Sequence, residues 1–292
     1  MRYRITHTTK YAYQEPVSVC QNKAHLRPRD TQHQSCQDFR LLTVPDPLEL
    51  NSRLDYFGNK IDYFSLHTPH NNLSVTATSV VEVAEPTPPK ESPPWEEIAQ
   101  QVVAPQTEET IRACLFRFPS EFTQLDEEYA DYARASFTPS RPIIEATQDL
   151  TNRIYEEFQY DSRATTVSTP VAEVFARKAG VCQDFAHLQI SCLRSLGLPA
   201  RYVSGYLRTE PPPGKEKLVG ADESHAWLSV FTGESGWVDF DPTNDVIPST
   251  DHITLAYGRD YGDVCPLQGV FVGGGNHTLT VSVDVSQLDF LD

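Results

Sequence analysis

Gly180-Val181-Cys182-Gln183-Asp184-Phe185-Ala186-His187 is the stretch on which the fold and the chemistry turn together. From Cys182 onward, Ala186, Ile190 and Leu193 follow at i+4, i+8 and i+11, flanked by Phe185 and Leu196. That is the apolar stripe of an α-helix. Gly197 and Pro199 then supply the stop, so the spacing predicts a helix over 182–196 that begins at a cysteine. A thiol at a helix start lies beside unpaired N–H groups and the positive end of the helix dipole, a setting that favours thiolate. The cysteine's own amide is then placed to donate to an oxyanion. Gly180 leaves room where an acyl group would approach. The other five cysteines (Cys20, Cys36, Cys114, Cys192 and Cys265) have no such setting and read as small buried apolar residues.

Two segments downstream supply what a thiolate nucleophile needs. The run His225-Ala226-Trp227-Leu228-Ser229-Val230-Phe231 alternates, with Ala226, Leu228 and Val230 on the expected core face and His225, Trp227, Ser229 and Phe231 on the other. Trp237 to Asp241 returns antiparallel after Gly233 and Gly236, with Trp237, Asp239 and Asp241 on one face. A loop of Thr232-Gly233-Glu234 sets Asp241 directly opposite His225. A carboxylate that holds a histidine fixes its tautomer and stabilises the imidazolium that pairs with a thiolate. Nucleophile, base and orienting acid are thus expected at Cys182, His225 and Asp241, with Asp239 the competitor for the acidic role. This is the set that cysteine-dependent acyl transfer requires.

Around this site the chain reads as α+β. Residues 1–85 are β-rich and are expected to form a sandwich-like or sheet domain: Arg2 to Tyr13, Phe39 to Val44, a hairpin of Leu54–Phe57 and Lys60–Phe64 about Gly58-Asn59, and Leu73 to Val83. Residues 86–94 continue a proline-rich stretch, Glu85 to Pro94, with five prolines in ten residues; it reads as a stiff extended linker. Residues 95–292 are expected to form a separately folded second domain. Its helices are Trp95–Val103, Asp126–Phe137 and Pro142–Phe158, then the cysteine helix; its strands are Ala200–Leu207, His225–Phe231, Trp237–Asp241 and Leu279–Val285. Asp251 to Gly275 reads as a long ordered loop.

Composition narrows the partners. The 292 residues carry a net charge of −16, which disfavours nucleic acid and anionic lipid. Met1–His7 has no apolar signal region and no segment reaches membrane-spanning length, so the expected compartment is the cytoplasm, with six free thiols. Asp239, Asp241 and Asp245 have calcium-loop spacing, but Asn244 stands where the required glycine would be and no glutamate closes the loop. No zinc-ligand spacing occurs among the nine histidines and six cysteines. No metal or organic cofactor is expected. Gly273-Gly274-Gly275 lacks the lysine and helix of a phosphate cradle, and His187 reads as a surface or packing residue.

Gly180-Val181-Cys182-Gln183-Asp184-Phe185-Ala186, His225-Ala226-Trp227 and Asp241-Pro242-Thr243 resemble the three signatures of the transglutaminase-like superfamily, a papain-like fold. Residues 1–85 resemble the N-terminal domain of bacterial transglutaminase-like proteins that carry a provisional cysteine-protease name. The segment Gly258-Arg259-Asp260-Tyr261-Gly262-Asp263-Val264 is similar to that group as well. The resemblance implies that Cys182 is the nucleophile, His225 the general base and acid, and Asp241 the orienting carboxylate. It implies a peptide or protein substrate attacked at an amide to give a thioester. Hydrolysis by water is favoured, with an amine acceptor and a non-catalytic peptide-binding module as the alternatives. Gln159 and Tyr160 are candidates for a second oxyanion donor.

Overall fold

The computed structural model describes residues 1–209 and 223–288 and is an α+β fold. Five strands come first: β1 (Arg2–Ala24), β2 (Gln34–Val44), β3 (Glu49–Leu54), β4 (Lys60–Leu66) and β5 (His70–Val83). The first half of β1 buries Tyr3, Ile5, His7 and Thr9, the two-residue period of a strand with one packed face. The turn between β3 and β4 is longer than a two-residue hairpin. The Asp55 carboxylate accepts the Phe57 and Asn59 amides at 2.9 and 2.7 Å, and Gly58 takes φ +76°.

After the extended proline segment come α1 (Trp95–Val103), α2 (Glu108–Cys114), α3 (Glu127–Arg134) and α4 (Ile143–Glu157). On α4, Ile143, Ala146, Leu150 and Ile154 are buried, as the helical stripe requires. A short parallel pair, β6 (Gln159–Tyr160) and β7 (Ala179–Gly180), brackets α5 (Val171–Arg177). Neither α2 nor α5 was legible in the sequence; at seven residues each they are too short to show a period. Then follow α6 (Cys182–Ser195), β8 (Ala200–Leu207), β9 (Glu223–Phe231), β10 (Trp237–Phe240) and β11 (His252–Gly258). The four strands form an antiparallel sheet in the order β10-β9-β8-β11. α6 lies against it, buried almost all round from Asp184 to Arg194.

The segment expected to be one long loop instead holds β11, α7 (Tyr261–Val264) and β12 (Leu267–Gly273), followed by β13 (His277–Gln287). β12 and β13 do not join the second sheet. They pair antiparallel with β1, β13 along Tyr3 to Tyr13 and β12 along Val17 to Ala24. The expectation that all of 95–292 forms one separate unit therefore differs from the strand pairing, in which residues 267–287 complete the first sheet.

One buried apolar cluster also runs through both sheets, from Tyr3, Ile5, Val81, Val83, Val283 and Val285 to Phe185, Ile190, Leu228 and Val230. Polar contacts reinforce the junction. The Gln34 side chain donates to Thr254 O and accepts its amide, both at 2.8 Å. Asn59 makes the same two-way contact with Tyr257 at 2.7 and 2.9 Å. Side-chain amides thus complete the outer edge of β11 in place of another strand. Among the described residues, no helix is long and apolar enough to cross a membrane.

Candidate active site

Cys182 is the first residue of α6, half-buried against the core. Val181 before it is extended and offers no capping hydroxyl. The cap comes from inside the helix: Asp184 turns back to accept the Val181 N–H at 2.8 Å and the Thr165 hydroxyl at 2.6 Å. This changes the reading of Gly180. A Cβ there would lie 2.7 Å from Asp184 Oδ2 and 2.9 Å from its Cβ, so the missing side chain makes room for the capping carboxylate rather than for an acyl group. Gly180→Ala is expected to destabilise the protein by about 1–3 kcal/mol, read as a lowered Tm.

His225 and Asp241 meet. His225 Nε2 lies 2.7 Å from Asp241 Oδ2, and the Cys182 thiol is near enough to the ring to act on its charge. The route to this meeting differs from the expected register. Trp237 pairs with Phe231 and Asp239 with Ser229, because the loop extends to Thr232–Gly236 and closes through Thr232 N–H to Gly236 O at 2.7 Å. Asp241 lies just past the end of β10, where its amide donates to Val246 O at 2.9 Å. The aspartate reaches His225 from the turn rather than from the opposite strand position.

Asp239, the rival acid, is engaged elsewhere. It accepts from Trp227 Nε1 at 3.0 Å and from the Ser229 hydroxyl. Asp245 accepts from Gln148 and Asn152 on α4 at 3.2 and 2.9 Å. The three aspartates with calcium-loop spacing therefore serve three separate hydrogen-bond sets.

Burial alone would push the His225 imidazole down. The hydrogen bonds and negative charge of Asp241 and Cys182 outweigh it and raise the ring from 6.5 to about 10. Burial would raise the Asp241 carboxyl, yet hydrogen bonds from His225 and His252 hold it well below the usual carboxylate range. A histidine raised on folding stabilises the fold fully below its unfolded value of 6.5, and that contribution is lost as pH climbs through about 10.

Asp241→Asn removes the charge that holds the imidazolium. Alkylation of Cys182 by iodoacetate, an anion attracted to that imidazolium, checks the effect. The alkaline limb of its pH profile is expected to move at least about one unit toward acid.

Sequence reasoning missed His252, which opens β11 and places Nε2 3.0 Å from the same Asp241 oxygen. The alternation of His252-Ile253-Thr254-Leu255-Ala256-Tyr257 was the available signal, obscured by the glycines and aspartates that follow. The nearest donor atoms of His225, Asp241 and His252 lie within 4.8 Å of one another, close enough to hold a metal ion. Hydrogen bonds to one carboxylate already account for that closeness. Trp227 is wholly buried beside both histidines, with ring centroids 5.9 Å from His225 and 5.2 Å from His252. Gly205 gives it space: a Cβ there would lie 2.3 Å from the indole. His187 is a buried packing residue and not a surface one. It stacks on Phe122, accepts the Tyr261 amide at 3.1 Å, and is pushed down to about 3 by burial. Gln159 and Tyr160 are exposed on β6, paired with Ala179 and Gly180 just before Cys182.

The fold and these residues fall in a known class. Residues 3–82 match the bacterial transglutaminase-like N-terminal region, and residues 130–242, which contain Cys182, His225 and Asp241, match the transglutaminase-like superfamily. The chain belongs to the transglutaminase-like superfamily. It is 42% identical over 294 residues to the uncharacterized protein Rv2569c of Mycobacterium tuberculosis, covering 97% of this chain and 92% of that one. It is 32% identical over 124 residues to a protein-glutamine gamma-glutamyltransferase of Pseudomonas aeruginosa, covering 40% of this chain and 19% of that protein. Among crystal structures, that of "a Putative Cysteine Protease" from Cytophaga hutchinsonii superposes with a TM-score of 0.75 at 23% identity, covering 99% of this chain and 92% of that one. The last comparison speaks to fold.

Proposed function

We propose that the protein is a cysteine-dependent acyl-transfer enzyme acting on an amide bond of a peptide or protein, with Cys182, His225 and Asp241 as its catalytic group. The observation that carries the reading is His225, bonded to buried Asp241 at 2.7 Å and acted on by the thiol that begins α6. In the first step the Cys182 thiolate attacks the amide carbonyl, a C–S bond forms, and negative charge moves to oxygen beside the first N–H groups of α6. Collapse breaks the C–N bond while the His225 imidazolium protonates the leaving amine. Water then attacks the thioester, His225 takes a proton from it, and the C–S bond breaks to release a carboxylic acid and restore the thiolate–imidazolium pair. Asp241 keeps the ring in the orientation both steps need.

A primary amine in place of water would make the product an isopeptide, and the likeness to a protein-glutamine gamma-glutamyltransferase favours this second reading. The six cysteines are unpaired, which suits a reducing compartment such as the cytoplasm. The test offers a glutamine-containing protein together with a fluorescent primary amine. Hydrolysis predicts new carboxylates or cleaved chains without fluorescence in the protein. Fluorescence incorporation establishes the amine acceptor, and neither product returns the fold to a binding role.

A further inference from the structure

His252 has no part in the steps above, yet its setting is specific. The side chain is about 7% exposed, and Nε2 lies 3.0 Å from Asp241 Oδ2. The same oxygen receives His225 Nε2 and Asn244 Nδ2, each at 2.7 Å, while Oδ1 takes the Thr243 amide at 2.9 Å. An ionised carboxylate only accepts, so His252 must donate Nε2–H, which fixes its tautomer. Nδ1 makes no hydrogen bond among the described residues. His252 borders a cavity of about 460 Å³ between the two sheets. The charged and titratable groups around the ring are Asp241 and His225, with Arg29, Asp30, His33, Glu109, Arg201, Asp239 and Tyr257 lining the rest of the cavity. β11 is held from the first sheet by Gln34, whose side chain pairs Thr254, two residues from His252.

We infer that His252 is a positioning residue for the proposed acyl transfer, holding Asp241 in place and sharing its negative charge with His225. The inference rests on the Cys182–His225–Asp241 reading. Three N–H groups converge on one oxygen, so each draws on the same lone-pair density. Removing His252 therefore has two consequences. The carboxylate loses one of its restraints, which slows chemistry at Cys182. Its charge then concentrates on His225, which keeps the imidazolium to higher pH. The second effect has the opposite sign to that of Asp241→Asn. It also gives the first sheet a route to the site, through Gln34, β11 and His252.

The test follows alkylation of Cys182 by iodoacetate in the full chain from pH 5 to pH 11, located by mass spectrometry, with Tm measured for each variant. His252→Leu is expected to lower the rate near neutral pH about tenfold and to move the alkaline limb upward. His252→Gln, whose amide nitrogen mimics Nε2, should restore both. His252→Asn, whose amide falls short, should not, and this pair decides the matter should His252→Leu fail to fold. Gln and Asn variants that behave alike, or that differ only in Tm, overturn the inference. An unsubstituted protein in which Cys182 shows no selective reactivity overturns the catalytic reading itself, and the role of His252 falls with it.

Discussion

Cys182→Ser is expected to lower turnover by on the order of 10⁴-fold or more, with Tm almost unchanged. The hydroxyl occupies the place of the thiol without disturbing the half-buried packing, yet it does not ionise beside the His225 imidazolium. His225→Ala should be comparably damaging, since both proton transfers of the proposed scheme pass through that ring, whereas Asp241→Asn should cost about 10² to 10⁴-fold. The measurement is turnover on the amide substrate, with thiol labelling as its control. Burial pushes the Cys20, Cys36 and Cys192 thiols up, so these three stay protonated and form the slow background against which labelling at Cys182 is read. Retained turnover in Cys182→Ser would remove the nucleophile from the scheme.

Separating the last two strands from β1 should be as severe, through folding rather than chemistry. Residues 95–292 produced alone are expected to aggregate, and a chain ending at Pro266 should lose its cooperative melt. β13 bonds along β1 from Tyr3 to Tyr13, and Val283 and Val285 are buried in the same cluster as Tyr3 and Ile5. Each buried valine is worth about 1.5–3 kcal/mol. Exposed β12 and β13 would also present long unpaired edges to other chains. Circular dichroism melts and light scattering check both truncations. A soluble 95–292 fragment with a selectively reactive Cys182 would show that the second sheet stands without the first.

Local patterns carried most of what sequence could tell. The stripe from Cys182 through Leu193 made α6 legible, and the alternation of His225 to Phe231 made β9 legible, because each is set by neighbours a few residues away. The joining of His225 to Asp241 was legible in outcome and not in route: one misjudged loop moves every cross-strand pair. Partnership at long range was illegible. Nothing local in Leu279 to Val285 distinguishes a strand of the second sheet from one returning to β1. His252 was hidden for the same reason, since its meaning lies in a carboxylate eleven residues upstream that only the tertiary fold brings to it.

The pairing of β1 with β13 also sets an order in time. On the ribosome β1 can pair early with β5 along one edge, but its other edge waits, because Gln287 pairs with Tyr3 and is synthesised after Cys182, His225 and Asp241. Contacts this distant in sequence form late and slowly. A nascent chain thus carries all three chemical groups before it holds the sheet that braces them. Closure of the first sheet is therefore the last pairing that synthesis permits, after all three proposed catalytic groups are already on the chain.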